Sequence, residues 1–146
     1  MTEELKKLLD HVVEYATELL TETGESYPFA AYIDLKGNHH PLEMEIDPKQ
    51  IPQIGTVIEN LTKYCEEEME HKKMRGYCLS YEVKIKLDET TTTDAICFEF
   101  HHCEEMNLPK FYLPYTATKV ETPIGEKREE GTAWKTVKLG EIFAVK

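Results

Sequence analysis

Two imidazole pairs, His39-His40 and His101-His102, are the side chains of this sequence best suited to chemistry, and Cys103, Glu104 and Glu105 follow the second pair directly. Imidazole, thiolate and carboxylate all bind divalent transition metals, so the two clusters could in principle furnish one site. Adjacent residues on a strand point to opposite faces, which limits each pair to one or two converging side chains. Cys103 beside His102 also has the residue types of a thiol nucleophile and its base. Such partners normally meet in space from separate elements, so adjacency is poor support. An enzyme built on His39, His40, His101, His102 and Cys103 therefore requires segments 39–40 and 101–103 to fold within bonding reach of each other.

The other routes to chemistry are weaker. Asp34 closes an apolar stretch, but it precedes Lys36-Gly37, where an aspartate usually serves a turn. Neither G-x-G-x-x-G after a strand nor G-x-x-x-x-G-K-[ST] occurs, so no dinucleotide or nucleoside triphosphate site is supported. No catalytic residue, cofactor or metal is assigned on these grounds. Tyr112 and Tyr115, on a short strand, suit a protein interface, where an aromatic body with a polar tip is useful.

Composition narrows the partners. The chain has 146 residues, the size of one domain spanning 1–146, and a formal charge of -11 from 28 acidic and 17 basic residues. That balance argues against nucleic acid or an anionic membrane and leaves room for a basic protein partner. Its plainest consequence is solubility. Cys65, Cys78, Cys97 and Cys103 show no C-x-x-C spacing and no secretory leader precedes them, so all four read as reduced thiols of a cytoplasmic protein. No apolar run approaches the roughly 18 residues of a membrane span.

The elements that must position these residues follow from periodicity. Leu5, Leu8, Leu9, Val12, Val13, Ala16, Leu19 and Leu20 form one helical stripe, with Thr2 as N-cap and Gly24 as the left-handed stop. Pro28 lacks a donor, so a strand begins at Phe29, and residues 29 to 46 read as a hairpin across Lys36-Gly37-Asn38. Asp47-Pro48 is a helix start, and Ile54, Val57, Ile58, Leu61, Tyr64, Cys65 and Met69 form a second stripe ended by Gly76. Residues 77–87 alternate with period two, which predicts an antiparallel sheet covered on one face only. Ala95 to Phe100 and Phe111 to Thr116 are further strands, and Pro114 suggests an edge or bulge. Residues 117 to 131 read as an exposed excursion, with terminal strands at 133–137 and 141–145. The expectation is an α+β domain: two helices on one face of a mostly antiparallel sheet of about five or six strands, in α-β-β-α-β-β-β order.

Gly24-Glu25-Ser26-Tyr27-Pro28-Phe29-Ala30-Ala31, with Asp34 and Gly37 in the hairpin, resembles a group of small uncharacterised bacterial proteins that carry a G-E-x-[FY]-P-F-x-A segment after a leading helix. Leu113-Pro114-Tyr115 and Gly140-Glu141-Ile142-Phe143-Ala144 look like further shared pieces. The resemblance brings no established activity with it. The order of elements is also similar to roadblock and profilin-like modules, in layout alone. The reading carried forward is a non-enzymatic acidic cytoplasmic binding module that engages a protein partner, a basic one if it inhibits as immunity-type proteins do. The alternatives are a metal- or thiol-dependent enzyme using the histidine clusters and Cys103, and a homodimer joined through a sheet edge.

Overall fold

The computed structural model describes residues 1–42, 53–120 and 134–145. Helix α1 (Glu3–Thr23) starts where the Thr2 side chain accepts the Leu5 amide and ends at Gly24, whose φ of 76° satisfies the left-handed stop. Strands β1 (Phe29–Ile33) and β2 (His39–Leu42) form the hairpin as far as it is described. The expected strand residues 43–46, the Asp47-Pro48 helix start and the glycines and proline of 121–131 lie outside the described residues.

Helix α2 (Ile54–Glu70) ends six residues before Gly76, which corrects the expected stop. His71 caps it, and Lys72 takes the left-handed position with φ 55°. The Lys72 amide donates to the Met69 carbonyl and the Lys73 amide to that of Glu68, the paired bonds of a Schellman ending. Gly76 instead opens β3 (Gly76–Lys86), where a Cβ would lie 2.7 Å from the His101 carbonyl oxygen. The glycine is there for close approach between strands.

Strands β4 (Thr92–His102), β5 (Lys110–Val120), β6 (Trp134–Leu139) and β7 (Phe143–Val145) complete an antiparallel sheet in the order β2-β1-β3-β4-β5-β6, with β7 also paired to β5. Residues 117–120 therefore belong to β5 and not to a loop. Nor is β5 an edge: Pro114 stands between its pairing with β7 at 110–112 and its pairing with β6 from 115 onward. A missing donor is tolerated at that seam. The class is α+β, with two helices and a mostly antiparallel sheet among the described residues, in the expected order.

The helices do not share a face. Leu5, Leu8, Val12, Ala16 and Leu20 of α1 pack with Phe29, Ala31, Ile33, Cys78, Ile96 and Phe98. Val57, Leu61 and Cys65 of α2 pack with Ala30, Tyr77 and Leu79, the residues between, which the pleat sends to the other side. Cys78 and Ser80 were the polar members of the β3 alternation, yet both are buried on the α1 side. Small side chains under a helix imitate a wet face in sequence. Fully burying one such aliphatic side chain contributes about 1.5–3 kcal/mol, so the α1 stripe is a large part of what holds the sheet.

Candidate functional site

Helix α1 makes contacts from β1 across to β6, but α2 packs mainly on β1 and β3. On the α2 side, the β4-β5-β7 half of the sheet consequently has no helix over it among the described residues. Register places Cys97, Glu99 and His101 of β4, Lys110 and Tyr112 of β5, and Phe143 of β7 on that half-face. The Tyr112 and Phe143 rings stack at 5.6 Å, and Phe143 and Val145 are 39% and 47% exposed.

A polar chain crosses the same surface. The Tyr81 hydroxyl donates to Glu99 Oε1, and Lys110 Nζ stands 3.1 Å from the same oxygen. Removal from water raises the Glu99 carboxyl, but the bonds from Tyr81 and Lys110 outweigh this and hold it below the ordinary carboxylate range. Burial first, then the bond to Glu99, pushes the Tyr81 phenol well above its usual value. Bonding to Glu99 raises Lys110. The three groups thus keep the charges +1, -1 and 0 across the neutral range, a fixed pattern rather than a proton relay.

Where α2 ends, its flank and the 103–109 turn enclose a cleft of about 480 Å³ lined by Glu66, Met69, Tyr77, His101, Met106 and Leu108, among others. Tyr77 stacks on His101 with ring centres 4.7 Å apart.

The histidine pairs do not come together. His40 pairs with Tyr32, Tyr32 with Tyr77 and Tyr77 with His101, so the pairs stand three strand spacings, about 14 Å, apart. Each pair also splits between faces. His39 packs its ring against His11, while His40 Nε2 lies 2.7 Å from Asp34 Oδ2. Asp34 accepts the Lys36 and Asn38 amides at 2.9 Å each, which is the turn role, and the bond from His40, followed by those from the two amides, holds its carboxyl down to about 2. No group of three or more potential metal ligands occurs among the described residues.

His102 has no exposed side-chain surface and both ring nitrogens are engaged. Nδ1 accepts the Glu104 amide at 3.1 Å, which places the proton on Nε2, donated to Glu4 Oε1 at 2.5 Å. Arg75 reaches the same carboxylate through Nε at 3.1 Å and a terminal nitrogen at 3.0 Å. The imidazole is therefore committed to tying α1 to β4 and has no nitrogen left to serve Cys103, which is exposed. The two expected interface tyrosines also part company. Tyr112 is half-buried on the open half-face, whereas Tyr115 is buried under α1 with its hydroxyl 3.0 Å from Glu82. Glu99 and Lys110 were not singled out from sequence, although a lone carboxylate within the apolar run 95–100 was the available signal.

No protein-family model matches the chain, and no curated protein and no solved structure matches it either. Among the described residues, no helix is long and apolar enough to cross a membrane.

Proposed function

We propose that this α+β chain is a non-enzymatic binding protein of the cytoplasm that engages a basic protein partner through the open half of its sheet, as an immunity-type inhibitor does. The observation that carries this reading is the uncovered half-face itself: stacked Tyr112 and Phe143 with exposed Val145, bordered by the fixed Tyr81-Glu99-Lys110 pattern. Exposed aromatic side chains beside oriented charges are the ordinary makings of a protein interface. The net charge of -11 favours a basic partner and speeds its encounter. Kinship with the small bacterial proteins that share the Gly24–Ala31 segment belongs to the same proposal. Dimerisation through β2 has less support, because the described part of that edge includes Pro41, which has no amide to donate.

The test is affinity capture from cells that make the chain naturally, comparing wild type with Phe143→Asp and Tyr112→Asp. A basic protein retained by wild type and lost from both variants supports the reading. Retention unaffected by either variant removes the half-face from it, and an empty capture removes the partner.

A further inference from the structure

We propose that the cleft between the end of α2 and the 103–109 turn is a seat for one lysine or arginine side chain of the partner; this rests on the protein-binding reading above. Three independent features of the cleft select that ligand.

The first is an unanswered hydroxyl. Tyr77 is 2% exposed as a whole and lines the cleft; its ring stacks on that of His101, and its phenol forms no hydrogen bond among the described residues. Among the described residues the buried side-chain atoms without a partner are those of Ser26 and Ser80, so the Tyr77 hydroxyl opens onto the cleft, where a bound donor takes the place of water. Burial, followed by the nearby acidic groups Cys65, Glu66 and Glu99, pushes this phenol up, so it stays a neutral hydroxyl able to accept from a cation.

The second is charge. Glu66 lines the cleft and makes no ion pair or hydrogen bond with any described residue, and Glu105 lines it from the opposite side. Glu105 is partly occupied, accepting the Thr2 amide at 3.3 Å and facing the N-terminal ammonium of Met1 at 3.7 Å, so Glu66 is the carboxylate left for a ligand. Helix α2 brings its negative end here with no basic residue in its last turn. Carboxylates near that end repel the dipole, and a cation placed among them relieves the repulsion. Among the described residues Lys73 pairs with Glu68 alone, at 4.0 Å and at the exposed margin.

The third is shape. Met69, Met106 and Leu108 supply apolar wall for a methylene stem, and Met106 is 88% exposed, as a residue waiting to be covered would be. A long aliphatic stem with a cationic head fits this combination. A carboxylate ligand would meet Glu66 and Glu105, and a purely apolar one would leave the phenol unanswered.

The experiment is a ¹⁵N-correlation titration of the full chain with Nα-acetyl-lysine and Nα-acetyl-arginine methylamides, against the norleucine analogue, which keeps the stem and lacks the charge. Saturable shifts of the Tyr77, His101 and Met106 to Leu108 amides are expected for the cationic probes and not for norleucine. Glu66→Gln should weaken this binding by about three- to fivefold, the effect of one partly exposed charge pair. Tyr77→Phe should weaken it while leaving thermal stability unchanged or raised, since the phenol has no partner to lose. Equal shifts from norleucine, no saturation with either cation, or binding indifferent to both substitutions would overturn the proposal. The two readings fail separately. A captured partner lost with Phe143→Asp but held at full strength by Glu66→Gln and Tyr77→Phe refutes the cleft alone, and a cleft that binds the cationic probes in a chain without a partner refutes the binding-protein reading alone.

Discussion

Replacing Glu4 with alanine should destabilise the fold through His102. In the native protein the Nε2 proton of His102 has one acceptor, Glu4 Oε1 at 2.5 Å, and the imidazole has no exposed side-chain surface. Removing the carboxylate strands that donor away from water, at about 1–3 kcal/mol. Losing an acid from the first turn of α1 adds about 0.3–1 kcal/mol. Arg75 is 31% exposed and can return to water, so the loss of its ion pair adds little. The sum is about 1.3–4 kcal/mol, which for a domain of this size lowers Tm by about 3–15 °C. Urea unfolding followed by far-ultraviolet circular dichroism measures it. His102→Phe combined with Glu4→Ala completes a double-mutant cycle, and a coupling of about 1 kcal/mol or more is expected. A cost under about 0.5 kcal/mol for Glu4→Ala, or additivity of the two changes, would refute the reasoning. There is a pH signature as well. The bond from Arg75, then that from His102, outweigh burial and lower the folded-state carboxyl below its ordinary 4.5. Its contribution is therefore complete above that value and is lost as pH falls through the lowered one, so the variant should lose less stability than wild type in that acid range.

Other substitutions test the local arguments. Lys72→Gly should stabilise the protein by about 0.5–1 kcal/mol, because a lysine now holds the left-handed position at the end of α2; a loss in urea stability would contradict that ending. Gly76→Ala should cost about 1–3 kcal/mol, since the added methyl meets the His101 carbonyl at 2.7 Å, and a neutral result would mean β3 and β4 are not so closely apposed. Of four thiols, only Cys103 is exposed, so a thiol reagent should modify one quickly in the native protein and the remaining three only after unfolding. Burial pushes the Cys65 thiol up to about 12, which slows it further; two or more fast thiols would disagree with the packing.

Helix α1 and the start of β1 were legible because strong periodicity, a threonine cap, Gly24 and Pro28 all point the same way. The face covered by α2 was not, because Cys78 and Ser80 count as polar or small in a pattern yet are buried under α1. Gly76 was misread for a related reason: a glycine after a helix suggests a cap, while its actual neighbour, the His101 carbonyl, is 25 residues away. Of the site, Tyr112 was legible as a strand aromatic. Tyr115 has the same residue type, and only register shows that it faces inward. The histidine pairs drew attention by residue type, but their fates were set by strand order, which local sequence does not encode. Glu99 and Lys110 acquire meaning only when β4 and β5 lie side by side.

The central claim is that the open half-face receives a basic protein, and site-specific photo-crosslinking inside the native cell tests it most directly. A photoreactive residue at Phe143 is compared with one at Glu18, on the exposed side of α1. The account predicts one basic adduct from position 143, suppressed by excess wild-type chain, and none from position 18. Equal adducts from both positions, or none from 143, would contradict it.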